Sequence, residues 1–363
     1  MNLLKQRITK LVRGEIQNLT AYQVQDATDL IKLDAMESPF DWPGNLQQEW
    51  LAELQTISLN RYPDPECRSL RDEILAYFNA PTDVDVLLGN GSDELISLLM
   101  QLVAGPQRTV CSFSPSFVMY QLIACYTHSQ YLEIPLTPQF TIDLNATLDT
   151  IQRHQPELIF IARPNNPTGN CFATEEITTI VDAADGLVII DEAYHAFADS
   201  SLLPLCVEYP NVLVLHTLSK VGLAGLRLGM LFGRNEWLNE LNKIRLPYNI
   251  GSLTQATTSF ALRKGTQIHA QVETLKQERE KLSIALNKIS CLTVYPSEAN
   301  FILFRTPTES ASDIFTRLKA SGILLKNLSH SHPLLKDCLR VTVSTAEQNQ
   351  AFLTALKQAL DGN

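Results

Sequence analysis

The strongest constraint on the fold is a series of short apolar runs between residues 84 and 233. Each run is rich in Val, Leu and Ile and lacks the polar alternation of a half-exposed strand. Segments with helical spacing separate the runs, which predicts a mainly parallel β-sheet covered by helices on both faces. The predicted strands are Val84–Leu88, Thr109–Phe113, Leu158–Arg163, Leu187–Asp191, Val212–Leu218 and Leu226–Gly233, with helices at Asp93–Val103, Ser116–Tyr126 and Ala173–Ala184.

The pattern changes after Pro247, where strands and helices follow in a different rhythm that is typical of a smaller α+β domain. A chain of 363 residues also exceeds what one hydrophobic core usually serves. We therefore predict an α/β protein with three parts. They are an N-terminal arm (1–50), a large domain (51–247) and a small C-terminal domain (248–363).

Composition excludes several classes of protein. The formal net charge of −10 argues against nucleic acid as a partner, because binding a phosphate backbone needs a concentrated basic face. The seven cysteines are scattered and form no C-x-x-C pair, so neither a metal site nor a disulfide framework is expected. Neither a signal peptide nor an apolar run long enough to cross a membrane is recognised. We expect a cytoplasmic protein.

A lysine follows the strand that begins at Val212, in Thr217-Leu-Ser-Lys220. Glycine-rich backbone comes next and leads to Arg227. A lysine at a strand end beside such backbone is positioned to enter a pocket, where it can form a Schiff base as a neutral amine. A solvated surface lysine is the plain alternative for Lys220 alone. Arg227 can bind a phosphate with two parallel hydrogen bonds.

A carboxylate ends another strand, in Ile189-Ile-Asp-Glu-Ala-Tyr194. Burying Asp191 is costly unless it has a partner, and a protonated ring nitrogen is a suitable one. Tyr194 follows three residues later and can reach the same ring. An Asp-Glu pair also suits magnesium in nucleotide-binding proteins, but the G-x-x-x-x-G-K-[S/T] loop that this requires is absent from the sequence.

Two further motifs follow predicted strands. Arg163-Pro-Asn-Asn-Pro-Thr-Gly169 is a turn that places Asn166 at a strand's carboxyl end. In Leu88-Gly-Asn-Gly-Ser-Asp-Glu94, glycine-rich backbone opens a helix, an arrangement that binds phosphate through free N–H groups. Phe117 follows the next strand, where stacking on a flat ring and packing in the core are equally plausible.

The order of these motifs resembles that of the fold-type I pyridoxal-5′-phosphate (PLP) aminotransferases. Finer features are similar to the histidinol-phosphate aminotransferase branch, and the resemblance runs from about Tyr22 to Ala359. These features are Asn60-Arg-Tyr-Pro-Asp64, Asp191-Glu-Ala-Tyr194, Leu218–Arg227 and Cys338-Leu-Arg-Val-Thr-Val343.

The resemblance implies a role for each matching residue. Lys220 is the catalytic residue that carries the cofactor and moves a proton on the substrate. Cofactor contacts are implied for Gly91, Ser92, Asp93, Phe117, Asn166, Asp191, Tyr194, Ser219 and Arg227, and for Tyr62 across a homodimer interface. Arg340 is implied to bind the α-carboxylate of glutamate or 2-oxoglutarate, and Tyr22 to close over the substrate. The arm is implied to pack on the small domain or the partner subunit.

Two positions depart from many relatives. Arg227 follows Lys220 by seven positions instead of eight, so we expect a tighter turn at Gly222 that still delivers the guanidinium. Lys326 stands where some relatives have an arginine for the substrate phosphate. Lysine offers a point charge instead of a planar fork, and a solvated surface cation is an equal alternative.

The resemblance implies transfer of an amino group from L-histidinol phosphate to 2-oxoglutarate, giving imidazole acetol phosphate and L-glutamate, in histidine biosynthesis. The two half-reactions would share one site in ping-pong order. An aromatic amino-acid aminotransferase or a phosphothreonine-type decarboxylase on the same fold is the nearest alternative. A PLP-binding transcription regulator is a further one, although no basic helix-turn-helix is recognised in the sequence.

Overall fold

The structure is a computed structural model that describes residues 3–21, 24–306 and 311–361. Within these ranges, no helix combines the length and the apolar character that a membrane crossing demands. The strands are β1 (Ile31–Lys32), β2 (Asp85–Asn90), β3 (Thr109–Ser114), β4 (Gln130–Pro135), β5 (Leu158–Ala162), β6 (Leu187–Asp191), β7 (Val212–Thr217), β8 (Leu228–Gly233), β9 (Thr293–Val294), β10 (Phe301–Arg305), β11 (Ile323–Leu324), β12 (Lys326–Asn327) and β13 (Cys338–Thr342). The helices are α1 (Leu3–Leu11), α2 (Gly14–Gln17), α3 (Gly44–Leu54), α4 (Arg68–Tyr77), α5 (Ser92–Val103), α6 (Met119–Tyr126), α7 (Leu144–His154), α8 (Thr174–Ala183), α9 (Leu205–Glu208), α10 (Asn235–Asn242), α11 (Ser252–Arg263), α12 (Gly265–Asn287), α13 (Ala311–Ala320) and α14 (Ala346–Leu360).

A seven-stranded sheet forms the centre of the protein, in the order β2-β8-β7-β6-β5-β3-β4. The pairs within β7-β6-β5-β3-β4 are parallel, whereas β8 runs antiparallel to both of its neighbours. Because β8 alone is reversed, β2 points in the same direction as β7. The predicted mainly parallel α/β sheet is confirmed.

Alternate side chains of the central strands enter two different hydrophobic clusters. On β6, Val188 and Ile190 join one cluster, whereas Ile189 joins the other. All five residues of β6 are buried. Burial on both faces explains why these strands carry unbroken apolar runs.

A smaller antiparallel sheet, in the order β12-β13-β10-β9, lies in the C-terminal part of the chain. Helices α12 and α13 both contact this sheet, and α14 packs against these two helices. The segment that precedes α3 also reaches this region, because β1 pairs in parallel with β11.

One predicted helix begins later in the structure, and two elements that follow it were not predicted. Helix α6 begins at Met119 instead of Ser116, because the Ser116 hydroxyl donates to Asn165 Oδ1 at 2.8 Å instead of capping the helix. Strand β4 and helix α7 were not predicted. Strand β4 is an edge strand with partly exposed and polar residues, so it lacks the apolar run that marks the central strands.

Candidate active site

The functional side chains meet at one edge of the seven-stranded sheet. The carboxyl ends of β5, β6 and β7 lie at this edge and lead to Asn166, Asp191 and Lys220. The reversed strand β8 begins there, directly after Arg227. Ligands of open α/β sheets bind beyond this edge.

A cavity of about 120 Å³ lies at this edge. Nine of the residues named from the sequence line it, namely Ser92, Asp93, Phe117, Asn166, Asp191, Tyr194, Ser219, Lys220 and Arg227. Met36, Ala162, Pro164, Ala193 and Thr217 complete the lining. The sequence motifs therefore identified most of the wall of one cavity.

Asp191 is a buried carboxylate with two hydrogen-bond donors. The Tyr120 hydroxyl donates to Oδ2 at 2.5 Å, and the Ala193 amide donates to Oδ1 at 3.0 Å. Burial raises the pKa of Asp191 to about 6, and these two hydrogen bonds act in the opposite direction. A cationic ring N–H in the cavity would favour the charged carboxylate further.

Lys220 lies in a short helical segment, Ser219–Leu223, that follows β7. Its Nζ is 5.6 Å from the centre of the Tyr194 ring. Burial and, to a smaller extent, the charge of Arg340 lower the pKa of Lys220 to about 8. An appreciable fraction of the side chain is therefore a neutral amine near neutral pH, which is the nucleophilic form.

One corner of the cavity is built from close backbone contacts at the start of α5. Gly91 has φ +80°, and a Cβ there would come within 2.5 Å of Arg227 Nη2. A Cβ on Gly229 would come within 2.6 Å of the Ser92 amide nitrogen. Arg227 also lies 3.6 Å from Asp93 Oδ2. The corner thus presents a guanidinium beside the first amides of a helix, which is a favourable place for an anion.

The segment between Lys220 and Arg227 contains the tight turn expected from its length. Gly222 has φ +94°, and the guanidinium of Arg227 reaches the cavity. Ser219 accepts a hydrogen bond from Thr217 Oγ1 at 2.9 Å, so its own hydroxyl proton can point towards a ligand.

A second cavity of about 340 Å³ adjoins the first and shares Met36, Phe117 and Asn166 with it. Lys326 and Arg340 line this second cavity and are cross-strand neighbours on β12 and β13. Arg340 Nη1 donates to Asn166 Oδ1 at 2.5 Å, and Nη2 donates to the Asp34 carbonyl at 2.9 Å. The first contact fixes the Asn166 amide so that its NH₂ group can donate elsewhere.

Three residues named from the sequence are not among those that line the cavities. Gly91 contributes instead through its close packing against Arg227. Tyr62 is 80% exposed and stacks on Tyr248, with ring centres 4.3 Å apart. Tyr22 lies outside the described residues.

The sequence did not single out Tyr120 or the network beside it. Tyr120 stacks on Phe160 at 4.5 Å and meets Phe117 edge-on at 5.6 Å. The available signal was its spacing of three from Phe117, which puts the two residues on neighbouring positions of a helical turn. Glu192 is also fully buried and accepts from His216 Nε2 at 2.9 Å.

Comparison with known proteins defines the family. Residues 28–356 match the sequence model of "Aminotransferase class I and II". A histidinol-phosphate aminotransferase of Nitrosococcus oceani is 50% identical over 98% of this chain and 99% of its own length. One of Chromobacterium violaceum is 47% identical over the same shares.

A crystal structure of a Sinorhizobium meliloti histidinol-phosphate aminotransferase in complex with pyridoxal-5′-phosphate has a TM-score of 0.86 to this chain. It covers 97% of this chain and 98% of its own, at 21% identity, which supports the fold. The protein belongs to the class I and II aminotransferases. Within that family, it belongs with the histidinol-phosphate aminotransferases.

Proposed function

We propose that the protein transfers an amino group from L-histidinol phosphate to 2-oxoglutarate with PLP as cofactor. The products are imidazole acetol phosphate and L-glutamate, so the enzyme would act in histidine biosynthesis. One observation carries the proposal. An amine of lowered pKa, Lys220, and a buried carboxylate, Asp191, line one cavity in a chain that is 50% identical to a histidinol-phosphate aminotransferase.

The residues present fit the cofactor. Asp191 suits a protonated ring nitrogen, Phe117 offers an aromatic face, and the NH₂ group of Asn166 offers a donor to the ring oxygen. Tyr194 lines the same cavity and can contact that oxygen.

The phosphate of the cofactor fits the corner beside α5. The close backbone packing at Gly91 leaves the first amides of α5 facing the Arg227 guanidinium. Ser92, Ser219 and Arg227 would hold the phosphate, with Asp93 keeping the guanidinium in place.

When bound, PLP supplies an aldehyde that captures the substrate amine and a ring that withdraws electrons. Lys220 Nζ would take a proton from the substrate Cα and return it to C4′, the aldehyde carbon of the cofactor, which is a task for an amine whose pKa is near the working pH. Asp191 maintains the charge of the ring nitrogen while this happens.

Substrate anions would bind at the border of the second cavity. Arg340 is buried, and its contacts with Asn166 and Asp34 hold the guanidinium in one orientation. It would bind the α-carboxylate of glutamate and, together with Lys326, the phosphate of histidinol phosphate.

We also propose that two copies of the chain form the working enzyme. Tyr62 stacks on Tyr248 and is 80% exposed. Leu59 and Leu246, close to these tyrosines in sequence, are 72% and 71% exposed, and large exposed apolar side chains are typical of interaction surfaces. In a homodimer, Tyr62 would reach the cofactor phosphate of the partner. Residues 51–247 would form the large domain, 248–363 the small domain, and residues 1–50 the arm that closes the site with Tyr22. A cytoplasmic location fits this biosynthetic role.

A substrate panel tests the proposed function. The purified holoenzyme is mixed with histidinol phosphate, glutamate or phenylalanine alone, and the cofactor spectrum is followed through one half-reaction. We expect rapid conversion by histidinol phosphate and by glutamate. Conversion by phenylalanine with no response to histidinol phosphate would reject the proposed substrate and favour an aromatic aminotransferase.

Mixed dimers test the shared site. In a dimer that joins a Lys220→Ala subunit with a Tyr62→Phe subunit, contact across the interface places both defects in one site and leaves the other site intact. Contact within one subunit would instead give each site one defect, so the activity of the mixed dimer separates the two arrangements. Unchanged cofactor affinity in Tyr62→Phe dimers would argue against that contact.

A further inference from the structure

The second cavity contains polar groups that the proposed reaction has not yet used. Its walls come from both sheets, with Lys326 and Arg340 on the small sheet and Glu133 on β4 of the large sheet. His332, which lies between β12 and β13, also lines it. The cavity thus combines cations with one carboxylate and one imidazole.

Glu133 is a carboxylate without a bonding partner in the described part of the chain. Tyr131 precedes it on the same face of β4, but the Tyr131 hydroxyl is bound to Ser112 Oγ at 2.5 Å. Glu133 lines the cavity and makes neither a hydrogen bond nor an ion pair with any described residue. As a carboxylate it can only accept hydrogen bonds.

His332, in contrast to Glu133, can donate a hydrogen bond into the cavity. Its Nδ1 accepts a hydrogen bond from the Leu334 amide at 3.1 Å, so in the neutral ring the proton lies on Nε2. Burial lowers the pKa of His332, and the nearby charge of Glu133 opposes this effect. The cavity therefore presents one ring N–H donor close to one carboxylate acceptor.

The two amino donors of the proposed reaction need such a pair. Both place their reacting carbon at Lys220 and one anionic group, the phosphate or the α-carboxylate, at Arg340. The remaining group, an imidazole or a γ-carboxylate, must then occupy the same volume. An imidazole N–H requires an acceptor, and a carboxylate requires a donor.

We propose that Glu133 and His332 determine substrate specificity together, Glu133 by accepting from the imidazole of histidinol phosphate and His332 by donating to the γ-carboxylate of glutamate. This inference rests on the proposed function. Glu133 is exposed to solvent in the open cavity. A phenyl side chain could satisfy neither group, and covering the carboxylate with it would remove water from Glu133 without offering a donor, which would disfavour it.

Two conservative variants separate the two roles. Glu133→Gln keeps the shape of the side chain and removes its charge. His332→Asn keeps an acceptor for the Leu334 amide and removes the Nε2–H donor. Glu236→Gln, an exposed position on α10, makes the same charge change away from the cavities and is the matched control.

The holoenzyme variants are compared in each half-reaction separately, and the dissociation constant of glutarate is measured from the cofactor spectrum. We expect Glu133→Gln to lower kcat/KM for histidinol phosphate by about tenfold or more, mainly through KM, without lowering that for glutamate. We expect His332→Asn to lower kcat/KM for glutamate and to raise the dissociation constant of glutarate, each by about tenfold. Its kcat/KM for histidinol phosphate should stay at the wild-type value.

The decisive quantity is the ratio of kcat/KM for histidinol phosphate to kcat/KM for glutamate. If a variant keeps the wild-type ratio, the specificity role proposed for its residue is overturned. The wild-type enzyme tests the proposed function by itself, because it either does or does not convert histidinol phosphate. Failure of the proposed function is therefore distinguishable from failure of this inference.

Discussion

The hydroxyl of Tyr120 donates a 2.5 Å hydrogen bond to Oδ2 of Asp191, in a fully buried position beneath the ring-binding cavity. Burial alone favours the neutral carboxyl, and this hydrogen bond favours the charged one. We therefore infer that Tyr120 is a positioning residue that would help Asp191 to carry the charge with which it would pair with the cofactor ring.

The first prediction concerns this contact. Tyr120→Phe removes the donor and should weaken binding of PLP to the apo-protein by about ten- to a hundredfold, the range for a buried hydrogen bond to a charged group. Quenching of tryptophan fluorescence measures the affinity. Tyr77→Phe, which removes a hydroxyl bound to His269 outside the cavity, is the control. Equal affinities in the two variants would exclude this role for Tyr120.

The second prediction concerns Lys220. Lys220→Ala should abolish turnover, and borohydride treatment of the wild-type holoenzyme should label this lysine irreversibly, because its amine lies at the cavity and burial lowers its pKa to about 8. Peptide mass spectrometry locates the label. Lys243→Ala, which changes an exposed lysine paired with Glu240, should keep both properties. A label at another lysine would contradict the assignment.

The third prediction concerns the geometry of the phosphate corner. Arg227→Lys keeps the positive charge but loses the planar fork, so PLP affinity should fall by about three- to tenfold. The effect should be smaller than that of a buried arginine, because the Arg227 side chain is 51% exposed. Equilibrium dialysis of the apo-protein measures it. Unchanged affinity would mean that the guanidinium serves only as a diffuse charge.

The fourth prediction concerns the stability of the apo-protein. The pKa of Asp191 is raised from 3.8 in the unfolded chain to about 6 in the folded one, so the folded state binds more protons between these values. The associated stability is present below about pH 4 and is lost as pH rises through about 6. At pH 8, the free energy of unfolding of Asp191→Asn should therefore exceed that of wild type by about 1–3 kcal/mol. Denaturant unfolding of the two apo-proteins measures this difference.

At pH 4 the same two apo-proteins should differ much less in stability, because the carboxyl is then protonated in the folded state and only about half ionised in the unfolded state. Comparing the variant with wild type at each pH removes contributions from other titrating groups such as Lys220. A difference as large at pH 4 as at pH 8 would point to packing instead of charge.

The sequence predicted the central sheet and most of the cofactor cavity because both depend on local pattern. Lys220, Asp191 and Asn166 each directly follow an apolar run, and parallel strands bring such positions to one edge. Tyr120 was missed because a tyrosine in an apolar helix is usually a core residue. Glu133 and His332 belong to segments that are distant in the chain, and only the packing of the two sheets brings them to one cavity.

The single reversed strand has a consequence for the mechanics of the site. The chain leaves the sheet at Thr217 and returns at Leu228, and these two residues lie at the ends of adjacent antiparallel strands. Lys220 and Arg227 therefore lie on one short connection whose two ends are both held in the sheet. Because both ends of this connection are held by the sheet, the amine of Lys220 and the guanidinium of Arg227 have little freedom to separate, which would help them to contact one cofactor molecule at two points.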